Sequence, residues 1–248
     1  MGKITKFFVT LAALSVLSIY GCGKDVKPET SYDAEKYLAK SDELVVAKDY
    51  KEARKVLLEV KNRDTQRKYG PIAHLKIADS YVKEGEPDLA ITEYRKFIEL
   101  YPDSQYASYA QYQIAMTYFA QIESPDRGTG VARFALEEFN RLKKLYPRNP
   151  YRDIVEVRIE KARNILAEGD YMIAEFYYKK ESYQSAVGRL ESMLTNYPDY
   201  KKEDEALLLL GKSYRELRIK DKAKDVFERL ITKYPTSRAA KEAKKLLS

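Results

Sequence analysis

The 248-residue chain contains one cysteine, one histidine and no tryptophan. A single cysteine, Cys22, cannot form an internal disulfide. With His74 as the one histidine, the chain has too few histidine and cysteine ligands for a typical zinc site. It also shows no Ser-His-Asp pattern that exceeds chance. We therefore predict a protein that is not an enzyme, with no catalytic residues, no metal site and no cofactor, and we interpret His74 as a packing residue.

Neither sign of charge dominates the chain, which has 45 lysines and arginines, 38 aspartates and glutamates, and a formal net charge of +7. Basic and acidic residues alternate along the sequence, as they do from Lys51 to Glu59, and this alternation is typical of solvated helix faces. The sequence contains no basic stripe and no nucleic-acid-binding motif. Nucleic acid is therefore not an expected partner.

The one long apolar run lies at the N-terminus. Phe7 to Tyr20 is an almost unbroken run of 14 residues that follows the short basic head Met1 to Lys6. A membrane-spanning helix needs about 20 apolar residues, so this run predicts a signal peptide at residues 1–21 instead. Removal of that segment takes away two lysines and lowers the formal charge to +5.

Cys22 follows Gly21 directly, and residues 19–22 resemble a bacterial lipobox. Cleavage before Cys22 would expose it for diacylglycerol and N-acyl attachment, and two or more lipid chains give stable anchoring. Gly23, in place of an aspartate, resembles an outer-membrane address. We predict lipidation at Cys22 and a tether at residues 22–30, on the periplasmic face of the outer membrane. An ordinary secretory peptide with an incidental cysteine is the alternative.

Residues 207–235 have the spacing of a 34-residue helix-turn-helix repeat, the tetratricopeptide pattern. Gly211 lets the two helices of the pair approach closely, and Pro235 ends the second helix because proline lacks a backbone donor. The second-helix pattern recurs four more times, and four of the five copies end in Tyr-Pro. The sequence therefore predicts an all-α solenoid of about five helix pairs. The alanines that mark the five copies are Ala53, Ala90, Ala135, Ala186 and Ala223.

The predicted repeats are unequal in length. The third contains eight added residues, Glu123 to Gly130, whose composition is typical of turns. The fourth begins with a helix of nearly 30 residues, from Arg152 to Lys180, with Gly169 as a candidate bend. A short amphipathic helix covers the open end of the last unit. The predicted units are residues 31–65, 71–102, 104–147, 151–198 and 200–235, and the cap is residues 237–247.

The first helices of such repeats line the inner surface of the solenoid. By repeat position, the front half of this surface is apolar and aromatic, and the back half is charged. An open apolar groove usually binds a ligand. The alternative, that these aromatic residues pack between neighbouring helices, has equal support from the sequence. The predicted front residues are Leu75, Asp79, Val82, Tyr109, Tyr112, Met116 and Phe119, and the back residues are Glu205, Leu208, Lys212 and Arg215.

Several local features together resemble the BamD family of outer-membrane assembly lipoproteins of Gram-negative bacteria. Besides the lipobox and the repeats, the chain has the run Tyr101 to Ala107, the loop Pro125 to Arg127 and the helix end Ala174 to Tyr178. The resemblance covers nearly the whole chain. It implies a scaffold of the β-barrel assembly machinery that is anchored to the outer membrane by lipid.

The resemblance also implies partners. The C-terminal units would dock on the POTRA domains of the barrel subunit, with Arg189 as the first choice of docking residue and Lys212 and Arg215 as further ones. A solvated surface arginine is the equal alternative for Arg189. The front groove would receive the C-terminal targeting signals of unfolded outer-membrane proteins, since an apolar groove suits an extended segment that ends in an aromatic residue. Accessory lipoproteins of the same machinery are a further implied partner class. The alternative function is another repeat lipoprotein of the envelope, a pilotin or a factor that couples to peptidoglycan.

Overall fold

The computed structural model describes residues 32–247, so the predicted signal peptide, Cys22 and the tether lie outside the described residues. Ala34–Ser248 form one compact unit. All regular structure in the described part is helical, and none of those helices has the length and apolarity needed to cross a bilayer. The helices are α1 (Ala34–Val46), α2 (Tyr50–Arg63), α3 (Gly70–Glu84), α4 (Pro87–Leu100), α5 (Ala107–Ala120), α6 (Thr129–Leu145), α7 (Arg152–Lys179), α8 (Tyr183–Asn196), α9 (Glu203–Glu216), α10 (Lys220–Lys233) and α11 (Arg238–Leu247).

Each helix packs against the next one along the chain, which is the contact pattern of a solenoid. Helix α11 also contacts α9, so it covers the end of the last pair. The predicted all-α solenoid of helix pairs is confirmed.

The repeat is held together by three rows of buried residues on the second helices. The marker alanines form the first row and are at most 4% exposed, which lets the paired helices approach closely. Four residues later comes a large side chain, and three residues after that comes another, so each helix buries one stripe. The second row is Leu57, Tyr94, Phe139, Leu190 and Phe227, and the third row is Val60, Phe97, Leu142, Met193 and Leu230.

The turns between paired helices are also repeated. Four of them place a residue with a positive φ five positions before the marker alanine: Lys48, Gly85, Glu181 and Arg218. This left-handed residue reverses the chain so that the second helix lies beside the first. The added residues replace this turn in the third unit. The loop of this unit is Gln121–Gly128, which has the predicted length of eight residues but begins and ends two residues earlier, because Thr129 and Gly130 already belong to α6.

Gly169 was a candidate bend, and α7 continues through it as one 28-residue helix. Glycine is required at this position because a side chain would not fit. A Cβ at position 169 would lie 2.4 Å from Thr129 Cγ2 and 3.1 Å from the Pro125 carbonyl oxygen. The start of α6 and the added loop therefore pack directly on the middle of the long helix.

Gly211 allows the predicted close approach in the last repeat. A Cβ there would lie 2.4 Å from the Phe227 ring, which is itself buried. We expect Gly211→Ala to lower the free energy of unfolding by about 2 kcal/mol, because the added methyl overpacks the core. Gly188→Ala is the matched control: its Cβ meets no atom within 4 Å, so it should stabilise α8 by about 0.5–1 kcal/mol. Chemical denaturation measures both, and equal effects would contradict this account.

Candidate functional site

A cavity of about 330 Å³ lies at the front of the solenoid, between α1, α3 and α5. Asp79 is its central polar group. Its carboxylate accepts hydrogen bonds from the hydroxyls of Tyr94 and Tyr109, the latter at 2.9 Å. The remaining wall mixes aliphatic and charged side chains. The lining residues are Ser41, Asp42, Val45, Leu57, Lys76, Asp79, Ser80, Val82, Lys83, Tyr94, Tyr109 and Gln113.

The electrostatics of this cavity centre on Asp79. Burial raises the pKa of its carboxyl, while the two tyrosine hydroxyls and the charges of Lys76 and Lys83 act in the opposite direction. Burial and the Asp79 charge also raise the pKa of Tyr109. Both tyrosines are therefore neutral donors at physiological pH, and their hydroxyl protons are directed at Asp79.

Three of the predicted front residues, Asp79, Val82 and Tyr109, are brought together in this cavity. Leu75 is only 6% exposed and packs in the core cluster with Ile91. The expectation of an apolar front groove is corrected, because α1 and α3 also direct charged side chains into the cavity. Those additional charged residues are Asp42, Lys76 and Lys83.

The other three front residues pack between α5 and its neighbours. Tyr112 stacks on Tyr151, with ring centroids 4.2 Å apart, and Phe119 meets Phe139 edge-on at 6.0 Å. Met116 is partly buried against the same cluster. For these residues the structure shows the interhelical packing that the sequence left open as an alternative.

A cationic surface lies beside Phe119, and the sequence reasoning missed it. The Arg158 guanidinium carbon lies 5.0 Å and Lys161 Nζ lies 5.6 Å from the centroid of the Phe119 ring, within the range of cation–π attraction. The exposed Ile154 and Val157 share this face of α7. The spacing of three and four residues among these four side chains indicates a shared helix face, but none of them stands at a marker position of the repeat.

A second cavity, of about 540 Å³, lies between α7, α9 and α11. Lys212 lines it and pairs with Glu242 of α11. Burial and the carboxylates of Glu175 and Glu205 raise the pKa of Tyr171, another lining residue, to about 12. The back cavity therefore combines tyrosines with charges of both signs.

The predicted docking residues face different neighbours. Arg189 of α8 is half-exposed and donates to Asp170 of α7 at 3.1 Å, whereas Lys212 pairs with α11. Arg215 is exposed at the end of α9, 3.5 Å from Glu216. Arg189 thus retains access to solvent beside its internal partner.

His74 is fully buried, as a packing residue should be. Its Nε2 lies 3.0 Å from the Glu93 carboxylate, and the rings of Phe97 and Tyr101 meet it edge-on. No group of three histidine, cysteine, aspartate or glutamate residues in the described part of the chain is arranged to hold a metal.

We expect acidification to destabilise the fold through His74. Burial lowers its pKa below the unfolded value of 6.5, and Lys61 acts in the same direction, while Glu93 opposes both. Below about pH 6.5 the unfolded chain binds a proton that the folded chain does not. The free energy of unfolding therefore decreases as the pH decreases. Denaturation between pH 7.5 and 5.5 measures this. Because the sequence has one histidine, His74→Gln should remove most of the slope, and an unchanged slope would contradict the assignment.

The chain was compared with known proteins. The family described as "YfiO: Outer membrane lipoprotein" matches residues 30–226. The outer membrane protein assembly factor BamD of Vibrio cholerae is 25% identical over 86% of this chain and 93% of its own length. BamD of Caulobacter vibrioides is 26% identical over 97% of this chain and 80% of its own. Among solved structures, the TPR2AB domain of yeast Sti1 covers 84% of this chain and 80% of its own, with 15% identity and a TM-score of 0.45.

The family match spans most of the chain, including the front cavity, the long helix α7 and the part of the back cavity that α7 and α9 form. The two relatives named above are matched over 93% and 80% of their own length, so the similarity is not confined to a single repeat. The chain therefore belongs to the YfiO family of outer membrane lipoproteins.

Proposed function

We propose that the chain is a lipid-anchored scaffold of the machinery that assembles outer-membrane β-barrel proteins. The observation that carries this proposal is the family membership, together with relatives named as outer membrane protein assembly factors along nearly the whole chain. A scaffold also suits the described residues, which offer cavities and exposed apolar side chains. Cys22 carries the lipid and holds the repeats at the periplasmic face of the outer membrane.

The front surface receives the C-terminal targeting signals of unfolded barrel proteins. Within the front cavity, Val45 and Val82 offer apolar contact and the exposed Lys83 offers a cation for a terminal carboxylate. Arg158 and Lys161 offer further cations beside Phe119. The residues proposed for the signal site are Leu75, Asp79, Val82, Tyr109, Tyr112, Met116 and Phe119. Leu75 is buried and supports the site without contacting the signal.

We expect Val82→Glu to weaken signal binding by about tenfold or more, because it places a carboxylate on the apolar wall of the cavity and repels a terminal carboxylate. Fluorescence anisotropy with a labelled C-terminal peptide of a barrel protein measures the affinity. Leu89→Glu is the control, since Leu89 is similarly exposed but lies on α4, outside the cavity lining. Equal affinities for the two variants would exclude the cavity as the signal site.

The C-terminal units dock on the POTRA domains of the barrel subunit. Arg189, Lys212 and Arg215 are the docking residues, and the side chains of Arg189 and Arg215 are more exposed than that of Lys212. Accessory lipoproteins of the same machinery are further partners of the scaffold.

A pull-down with the purified protein tests this function. It should retain the POTRA domains of the barrel subunit from the same organism, and Arg189→Glu should reduce the retained amount several-fold. Arg148→Glu is the control, because Arg148 is exposed at the end of the third unit. Failure of the unmodified protein to retain POTRA domains, with recovery of pilus or cell-wall components instead, would overturn the proposal.

A further inference from the structure

Helix α7 carries one apolar stripe in which spacings of four and three residues alternate. This is the spacing that keeps one face of a helix against a partner helix. The stripe is buried up to Gly169, but Ile173 is 41% exposed and Phe176 is 55% exposed. The stripe therefore continues beyond its partner. Its members are Val155, Ile159, Ala162, Leu166, Gly169, Ile173 and Phe176.

The partner over the buried part is α6. Its buried apolar residues follow the matching spacing of three, four and three, and the last three of them share a cluster with the N-terminal half of α7. Helix α6 begins at Thr129, which lies directly against Gly169. Helix α7 continues to Lys179, about 15 Å further at 1.5 Å per residue, with no part of α6 beside it. The buried apolar residues of α6 are Ala132, Ala135, Phe139 and Leu142.

We define the shelf as Met172, Ile173 and Phe176, which project from this overhanging part of α7 and are 40–55% exposed. Single exposed apolar residues are ordinary on protein surfaces. These three are adjacent on one helix face, and two of them continue a stripe that is otherwise buried. The opposite face of the overhang packs through Ala174 and Tyr178 in the C-terminal core, so the overhang is supported without any occupant on the shelf.

We propose that the shelf binds an amphipathic helix of a partner polypeptide, which lies end to end with α6 along α7. The helix lengths explain why the shelf has no neighbouring helix. The first helices α5 and α9 have 14 residues each, whereas α7 has 28, and only one second helix, α6, precedes it. The partner helix carries apolar residues at the three-four-three spacing of α6. Acidic residues flank these apolar residues and pair with Lys180. This lysine is exposed, and its Nζ lies 5.9 Å from the centroid of the Phe176 ring.

A peptide copy of α6 is the natural probe, because α6 already packs on the same stripe. The probe is residues 129–145 of this chain, acetylated, amidated and labelled with fluorescein, and it is titrated with the full-length mature protein by anisotropy. We expect saturable binding that Ile173→Glu with Phe176→Glu weakens by about tenfold or more. Ile154→Glu with Val157→Glu is the control, since these residues are exposed on α7 away from the overhang, and it should leave the affinity unchanged.

Two further measurements keep the result decisive. Circular dichroism should show that the shelf variants keep their helices, and the milder pair Ile173→Ser and Phe176→Ser should weaken binding in the same direction. Absence of binding by the unmodified protein, or equal binding by the shelf variants, would overturn the proposal. A concentration-dependent dimer that the shelf variants abolish in sedimentation would assign the shelf to a second copy and overturn it as well. The test does not require the barrel subunit, so its outcome is independent of the proposed function.

Discussion

Phe139→Ala is expected to lower the free energy of unfolding by about 3–5 kcal/mol, the largest stability effect of any substitution considered. Phe139 has no exposed surface and contacts side chains from both neighbouring helices. Phe119 meets its ring from α5, and Val155 and Ala162 belong to the same cluster on α7. Truncation leaves a cavity at the point where the third unit joins the long helix.

Phe134→Ala is the matched control for this substitution. Phe134 is the same residue type on the same helix, but 52% of it is exposed. Its truncation should cost no more than about 1 kcal/mol. Urea denaturation followed by circular dichroism gives both midpoints and slopes. A cost for Phe134→Ala similar to that for Phe139→Ala would show that the buried row does not determine stability.

Cys22→Ser is expected to remove the protein from the outer membrane almost completely. Without the thiol, no diacylglycerol can be attached. Fractionation of cells that express tagged protein should show the unmodified chain with the outer membrane and the variant in the soluble or unprocessed fraction. A matched Ser31→Ala variant leaves the lipobox intact and should fractionate normally. Retention of Cys22→Ser in the outer membrane would contradict a lipid anchor at Cys22.

The repeat architecture could be predicted because the residues that pack within each unit lie close together in the sequence at a fixed spacing. The marker alanines and the large residues that follow them at fixed spacing are the residues that the structure buries most completely. Tyr-Pro predicted the ends of four second helices. In the structure Tyr101, Tyr146, Tyr197 and Tyr234 leave the helical conformation, each with φ near −130°, while their N–H groups still bond to the last turn.

The features that the sequence did not predict depend on how elements meet. Gly169 is flanked by good helix formers, so nothing local indicates that Thr129 and Pro125 will pack on it. Likewise, Ile173 falls at a repeat position that is normally buried, and it becomes exposed only because α6 begins too late to cover it. In both cases the missing information is the register of α6 along α7.

The character of the front cavity was also mispredicted in part. Inward positions were taken from α3 and α5, which gave Asp79, Val82 and Tyr109. The first repeat, the one copy that does not end in Tyr-Pro, gave no inward positions, so the contribution of Asp42 from α1 was not predicted. The pairing of Lys76 with Asp42 at 2.5 Å joins the first and second units across this cavity.

Depletion of the protein in its own bacterium, followed by quantification of folded porins in the outer membrane, tests the central claim most directly. If the chain is a scaffold for barrel assembly, folded porin levels should fall several-fold before growth slows, and unfolded porins should accumulate in the periplasm. Restoration by the unmodified gene, but not by Cys22→Ser, would link this effect to the anchored protein. Unchanged porin levels after complete depletion would contradict the account.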